Sequence, residues 1–398
     1  MPAVIDVAAV RRAFPALAEG AAHFDGPGGS QTPQAVADAV AGALTAAVAN
    51  RGRRTAAERR ADDIVRTARQ AIADLLGADP GGVVFGRSMT QLTYDVARML
   101  AKDWGPGDEV VVTRLDHDAN VRPWVQAAES AGASVRWATF DRESTELDEI
   151  PLTDRTRLVA VTGASNLLGT RPDVPGIAAR VHDAGALLYV DGVHLTPHAP
   201  VDVRSLGADF FACSPYKFFG PHCGVLVASP QLLGRLRPDK LLPQTDAVPE
   251  RFELGTLPYE LLAGTTAAVD FLAGLVPGDG PRRDRVLASM AALEHVEDTV
   301  RAGLEQRLAE LPGVRLYGRA ARRTPTLLFS VDGQDPAAVS DALAAAGVNA
   351  PAGSFYALEA SRWLGLGDTG AVRAGIAPYT DDADIDRLVA AVAAVAKQ

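Results

Sequence analysis

The stretch 209-DFFACSPYKFFGPH-222 places one lysine, Lys217, a few residues after an apolar run that is typical of a buried strand. The chain of 398 residues contains only four lysines, because arginine supplies most of its basic side chains. Burial disfavours the ammonium form, so a lysine in such a place has a lowered pKa and an amine that is free to react. The competing interpretation is an ordinary strand-end lysine whose head lies in solvent.

Short runs rich in valine, leucine and phenylalanine alternate with alanine-rich stretches, a pattern typical of βαβ units on a parallel sheet. Seven strands are predicted, at Val83–Phe85, Glu109–Thr113, Ser134–Ala138, Arg157–Thr162, Leu187–Asp191, Asp209–Cys213 and Gly224–Ala228. Helices are predicted at Thr32–Ala49, Ala61–Leu76, Thr90–Ala101, Val174–Ala184 and Asp284–Leu311. The linker VPGDGP at 276–281 precedes a further strand and helix, Thr324–Val331 and Pro336–Ala345, which indicates a second, smaller domain.

Composition argues against several classes of function. A net charge of −10 leaves no basic surplus to neutralise nucleic-acid phosphates. We see no secretory signal and no apolar run of the roughly 18 residues that a membrane helix needs. Two cysteines and seven scattered histidines form neither a disulfide framework nor a zinc-binding pattern. We therefore expect a cytoplasmic protein without metal that binds neither nucleic acid nor membrane.

Two residues at the carboxyl ends of predicted strands have side chains suited to a heteroaromatic cofactor, at the edge where open α/β sheets bind ligands. Asp191 ends the run 187-LLYV-190, where a carboxylate is costly unless it faces a cation such as a protonated pyridine nitrogen. The other interpretation of Asp191 is a helix cap or turn residue. His117 could stack on such a ring or transfer protons near neutral pH, or it could be an ordinary loop histidine.

Two further strand ends carry polar groups. Ser88, Met89 and Thr90 open a helix, so their backbone N–H groups could bind an anion, or Thr90 could simply cap the helix. Asn166 could meet a phenolate or a carboxylate, or serve as a turn residue. The chain lacks a G-x-G-x-x-G fingerprint after a strand, a P-loop, a G-x-S-x-G elbow and an H-E-x-x-H motif.

Taken in order, the segments 116-DHDAN-120, 165-SNLLG-169, 190-VDGVH-194 and 214-SPYKFFGP-221 resemble the class V aminotransferase family of pyridoxal-phosphate enzymes, fold type I. The branch most similar is that of the cysteine desulfurase-like proteins, relatives of cysteine desulfurases and isopenicillin N epimerases. The resemblance runs from about Phe24 to beyond Arg373. It implies an α/β fold with a large domain at 25–283, built on a mostly parallel seven-stranded sheet, and a smaller α+β domain formed by 1–24 and 284–398.

The resemblance also implies a cofactor, pyridoxal 5'-phosphate, and a role for each residue of the site. Lys217 would form the aldimine and move the Cα proton, Asp191 would pair with the pyridine nitrogen, and His117 would stack on the ring. Arg373, together with Asn166, would bind the carboxylate of a small amino-acid substrate. The remaining cofactor contacts would come from Ser88, Met89, Thr90, Asn166, His194, Ser214, Tyr216 and, across a homodimer, Thr256.

One departure from the family bears on the reaction. Classical cysteine desulfurases carry a nucleophilic cysteine on a small-domain loop, but the comparable stretch here, 348-VNAPAGSFYA-357, has none. Cys213 lies in a predicted strand and Cys223 beside a glycine, so neither resembles a mobile thiol of low pKa.

We therefore expect desulfurase-like or C–S lyase (β-elimination) chemistry without the usual persulfide cysteine. Transamination or epimerisation is the alternative. A cofactor-bound partner protein without turnover and a nicotinamide dehydrogenase are less favoured. Loops near 50–60, 194–198 and 350–358 would set specificity, with Ser354 or Tyr356 as a polar group near the substrate.

Overall fold

Seven strands form a central sheet in the computed structural model, which describes residues 5–397. Within that range the strands are β1 Ala22–His23, β2 Val83–Gly86, β3 Glu109–Thr113, β4 Ser134–Ala138, β5 Thr156–Thr162, β6 Leu187–Asp191, β7 Phe210–Cys213, β8 Gly224–Ala228, β9 Val314–Tyr317, β10 Thr326–Val331, β11 Val348–Asn349, β12 Ala352–Gly353 and β13 Ala371–Gly375. The helices are α1 Val7–Arg12, α2 Gln34–Thr45, α3 Ala56–Leu76, α4 Met89–Leu100, α5 Arg122–Ala131, α6 Val174–Asp183, α7 Val203–Leu206, α8 Pro230–Arg235, α9 Tyr259–Ala273, α10 Arg282–Ala309, α11 Pro336–Ala345, α12 Leu358–Trp363 and α13 Asp382–Val395.

The central sheet has the strand order β2-β8-β7-β6-β5-β3-β4 and is parallel except for β8, which pairs antiparallel with β2 and β7. This confirms the predicted mostly parallel sheet of seven strands. Four strands, β3, β4, β6 and β8, have the predicted bounds. The carboxyl ends of β3, β5, β6 and β7 consequently lie at one edge of the sheet.

Both faces of the central sheet are buried, which explains the continuous apolar runs of its strands. Successive residues point to opposite faces: Val159 and Val161 join one core cluster, whereas Leu158 and Ala160 join the other. Each valine or leucine among them contributes about 1.5–3 kcal/mol when fully buried.

A second sheet, in the order β12-β13-β10-β9, forms with α11 and α13 the C-terminal part of the fold. Helix α10 joins the two parts, since Val286 and Met290 pack in the core of the large sheet and Leu304 and Leu308 in the C-terminal core. The division into 25–283 and into 1–24 with 284–398 stays a prediction, and its residues 1–4 and 398 lie outside the described range.

Five of the six predicted helices differ from the observed ones at one or both ends, and two of them differ by four residues or more at one end. The stretch predicted at 32–49 forms a helix only over Gln34–Thr45, because Ala46 is extended. The stretch predicted at 61–76 begins at Ala56, because Thr55 and Glu58 form a capping box that starts the helix earlier. No helix within residues 5–397 is long and apolar enough to cross a bilayer.

Candidate active site

The carboxyl edge of the central sheet opens into a cavity of about 630 Å3. Most of the residues singled out in the sequence line this one cavity although they come from separate strands and loops: Met89, Thr90, His117, Asn166, Asp191, His194, Ser214, Tyr216, Lys217 and Arg373. Ser88 and Thr256 are not among the residues that line it. Thr256 is exposed on the segment before α9.

The first turn of α4 faces the cavity through Met89 and Thr90. Ser88 is the N-cap, since its hydroxyl accepts the Gln91 N–H at 3.1 Å. The interpretation of Thr90 as the cap is therefore wrong, because the helix begins one residue earlier than predicted. The side chain of Thr90 is left to face the cavity at the positive end of the helix, where an anion is favoured.

Asp191, the last residue of β6, is only 4% exposed. Its Oδ1 accepts the Val193 N–H at 2.9 Å. Burial raises the pKa of Asp191 to about 6, against the opposing effects of this hydrogen bond and of the charge on Lys217. A cation placed against this carboxylate would hold it ionised.

Asp116 is a second buried carboxylate that sequence analysis did not single out. Its Oδ1 accepts from the Asn120 side-chain amide at 2.7 Å, and the Asn120 oxygen accepts from the Trp124 indole at 3.0 Å. Burial raises the pKa of Asp116 to about 8, and the nearby charge of Asp191 acts in the same direction. The segment 116–120 carries part of the family resemblance, but nothing in its sequence shows that Asp116 and Asn120 are both buried.

His117 lies at the cavity wall with its ring stacked on Tyr356, at 5.5 Å between ring centroids and 26° between planes. Its Nδ1 accepts the Ala119 N–H at 3.0 Å. Burial lowers the pKa of His117 to about 4, and the charges of Lys217 and Arg373 add to the effect. The ring is therefore neutral at physiological pH and carries its proton on Nε2.

Lys217 ends a short turn, Pro215–Lys217, that follows β7. Its Nζ donates to the Pro27 carbonyl and lies 5.1 Å from the centroid of the Tyr216 ring. Burial lowers the pKa of Lys217 to about 7, the charge of Arg373 adds to the effect, and Asp191 opposes it. A large fraction of this lysine is consequently a neutral amine near pH 7, as a nucleophile or base requires.

Arg373 on β13 is 2% exposed, and its Nη1 donates to the Asn166 carbonyl at 2.9 Å. Its guanidinium carbon lies 3.7 Å from the centroid of the Phe355 ring, and burial lowers the pKa of Arg373 to about 9. Within the described residues, Arg373 Nε and Asn166 Oδ1 are buried without a hydrogen-bond partner. An arginine in this state is suited to bind a carboxylate that enters the cavity.

Phe355 and Tyr356 are consecutive bulky residues in the left-handed region, with φ of 53° and 59°. Such residues cost roughly 1–2 kcal/mol each in that conformation. The turn is held by hydrogen bonds from the Asn166 amide to the Phe355 carbonyl, at 2.9 Å, and from the Asp118 N–H to the Tyr356 carbonyl, at 2.6 Å. Both aromatic residues line the cavity, whereas Ser354 does not.

The sequence could suggest Tyr356 by its position, but it carries no signal that a phenylalanine beside it has positive φ. Of the three loops expected to set specificity, 194–198 and 350–358 contribute lining residues. No residue of 50–60 lines the cavity among those that the structure describes.

Both cysteines of the chain are buried, Cys213 at 0% and Cys223 at 2% exposure. Burial raises the pKa of Cys223 to about 11 and raises that of Cys213 as well. Neither has the exposed, electropositive surroundings of a reactive thiol.

The polar groups of the cavity match the groups that pyridoxal phosphate presents. It combines a helix N-terminus for a phosphate, a buried carboxylate for a pyridinium nitrogen, a neutral lysine for an aldehyde and an arginine with an unpartnered Nε for a carboxylate. These groups are Thr90, Asp191, Lys217 and Arg373.

Residues 22–388 match the family described as Aminotransferase class-V. The chain is 36% identical to the Mycobacterium tuberculosis protein described as Uncharacterized protein MT3887, across 98% of this chain and 99% of that relative. It is 30% identical to the Cysteine desulfurase CsdA of Escherichia coli, across 98% and 97% of the two chains. A crystal structure of CsdA has a TM-score of 0.86 to this fold, with 28% identity and 99% coverage of both chains. The chain therefore belongs to the class V aminotransferase family and is a cysteine desulfurase-like, pyridoxal-phosphate-dependent enzyme.

Proposed function

We propose that this enzyme cleaves the C–S bond of a small sulfur-containing α-amino acid such as L-cysteine by β-elimination, without a persulfide on its own cysteines. The observation that carries the proposal is the turn at Phe355 and Tyr356. It lies in the stretch that the family resemblance matches to the cysteine-bearing loop of classical desulfurases, and hydrogen bonds hold it to Asn166 and Asp118. The chain's two cysteines are buried elsewhere.

Four cavity residues have a definite part in such a reaction. Bound pyridoxal phosphate supplies an electron sink for the pair left when the Cα proton is removed. Lys217, as the neutral amine, removes that proton, and Asp191 keeps the ring nitrogen protonated. Arg373 binds the substrate carboxylate, and His117 covers the ring as an uncharged imidazole. Overall, cysteine and water become pyruvate, ammonia and hydrogen sulfide.

We further propose that two copies of the chain form a homodimer in which Thr256 reaches the phosphate in the partner subunit's cavity. The segment that carries Thr256 is rich in exposed leucines: Leu241, Leu242 and Leu254 are 66%, 97% and 55% exposed. Apolar side chains grouped in this way favour contact with another protein surface.

Product analysis with L-cysteine tests the proposed reaction. We expect sulfide and pyruvate in equal amounts, at the same rate in a Cys213→Ala, Cys223→Ala double variant, and no product with Lys217→Ala. With dithiothreitol present to reduce a persulfide, sulfide with alanine, lost when Cys223 is replaced, would instead establish desulfuration through the enzyme's own thiol. The absence of sulfide would favour transamination or epimerisation.

A further inference from the structure

Two histidines on the loop after β6, His194 and His198, begin a row of contacts that leads away from the cavity. His194 lines the cavity and is 3% exposed, and its Nε2 lies 2.9 Å from the Thr326 hydroxyl on β10. His198 packs its ring against that of His194, at 5.2 Å between centroids and 70° between planes. The pair thus links the edge of the large sheet to the C-terminal sheet.

Glu297 on α10 continues this row of contacts. It is 1% exposed, and its Oε2 lies 2.9 Å from His198 Nδ1. Its Oε1 is buried with no partner in residues 5–397. A buried carboxylate is costly unless it serves a partner, and the partner of Glu297 is His198. None of the steps assigned to the cavity uses this pair.

The charges around the row differ at its two ends. His194 faces Arg373 and Lys217 from the cavity side and His198 from the other side, and burial lowers its pKa well below the usual value. Glu297 faces His198, the neighbouring Glu294 on the same helix and the Tyr379 phenol, and burial raises its pKa while His198 opposes this. His198 thus lies between the Glu297 carboxylate and the His194 ring, in contact with both.

We propose that Glu297 and His198 are positioning residues, which hold the ring of His194 in place and so fix the nitrogen that it turns towards the cofactor ring. This inference depends on the part of the proposed function that concerns the cofactor. It does not depend on which reaction the enzyme catalyses. Because Nε2 is bonded to Thr326, Nδ1 is the nitrogen left for a polar substituent of the ring. An uncharged His194 can make that hydrogen bond without adding a third positive charge beside Lys217 and Arg373.

The test is a pH titration of the visible absorption band of the purified protein loaded with pyridoxal phosphate. In Glu297→Gln, His198 is bound less strongly and His194 is placed less firmly, so the hydrogen bond from His194 to the ring substituent weakens and stabilises the anionic form of that substituent less. The midpoint of the titration should then move to higher pH by about half a unit or more. Glu294→Gln is the matched control, since Glu294 lies on the same helix, is partly exposed and pairs with Arg171. Its midpoint should equal that of the unmodified enzyme.

A double-mutant cycle shows whether the effect passes through His194. In a His194→Gln background, Glu297→Gln should add no further shift. An unmoved midpoint in Glu297→Gln, or the same shift with His194 already replaced, would overturn the inference. Should Glu297→Gln not fold, the double variant Glu297→Met, His198→Leu leaves no unpaired charge and carries the same expectation. A protein that develops no visible band with pyridoxal phosphate would overturn the proposed function and this inference together.

Discussion

At the scale of single residues, burial in the cavity shifts the pKa of side chains that would have ordinary pKa values in solvent. Asp191 illustrates this, because its carboxylate is costly to bury until a protonated ring nitrogen faces it. Asp191→Asn keeps the shape and removes the charge. We expect kcat/KM to fall by about 10²–10³-fold, with the cofactor still bound.

The control for Asp191→Asn is Asp209→Asn, at the opposite end of a neighbouring strand. The Asp209 carboxylate accepts the Leu188 N–H at 2.8 Å, which the oxygen of an asparagine can also do. Steady-state kinetics on the two variants measures kcat/KM for each. An Asp191→Asn enzyme as active as Asp209→Asn would contradict the assigned role.

Lys217 gives a prediction about pH. Burial, followed by the charge of Arg373, lowers its pKa to about 7, and only the neutral amine attacks an aldehyde. The rate at which the cofactor-free protein takes up pyridoxal phosphate should therefore rise with pH through that value and then level off. Arg373→Met removes the second cause, so stopped-flow absorbance should place its midpoint at higher pH. An unchanged midpoint in Arg373→Met, or a shifted one in the exposed control Arg362→Met, would contradict this account.

At the scale of elements, the turn at Phe355 and Tyr356 places two aromatic side chains in the cavity wall at the cost of backbone strain. Tyr356 is 74% exposed, so its ring adds little to the free energy of unfolding. Tyr356→Gly and Tyr356→Ala both remove the stack on His117, but only glycine relieves the left-handed backbone. We expect the glycine variant to be more stable than the alanine variant by about 1 kcal/mol, with both impaired in turnover. Urea denaturation measures the difference, and equal stabilities would argue against strain at this position.

The observed strands and helices also show which structural features a sequence pattern can predict. The strands of the central sheet follow from apolar runs, and buried β3 and β6 have the predicted bounds. The start of α3 was missed because it depends on a capping box rather than on apolar periodicity. The left-handed conformation of Phe355 has no sequence signature, since it is imposed by contacts with Asn166 and Arg373 from distant parts of the chain.

At the scale of the whole molecule, the sequence places polar residues at strand ends, and the parallel sheet brings them to one edge. That was enough to predict that residues such as Thr90, His117 and Asp191 meet in the cavity, whereas Ser88 and Thr256, predicted with them, do not line it. The sequence could not predict the burial of Asp116 or the row that joins His194 to Glu297, because both depend on packing between segments far apart in the chain.

The proposed homodimer is also a property of the whole molecule. Leu242→Glu with Leu254→Glu introduces charge on the segment that carries Thr256 and should convert the protein to monomers. If Thr256 completes the partner's site, the affinity for pyridoxal phosphate should fall in the same variant. Sedimentation velocity and equilibrium dialysis measure the two effects, with Leu44→Glu, an exposed leucine on α2, as the control. A dimer that survives the double substitution would place the interface elsewhere.

Reductive trapping shows whether Lys217 holds pyridoxal phosphate in this cavity. The protein is loaded with pyridoxal phosphate, reduced with borohydride, digested and mapped by mass spectrometry. We expect a phosphopyridoxyl group on the peptide that contains Lys217, and none on the peptides of Lys102 or Lys240. Modification at another lysine, or an unmodified Lys217 in protein that has taken up the cofactor, would contradict this expectation.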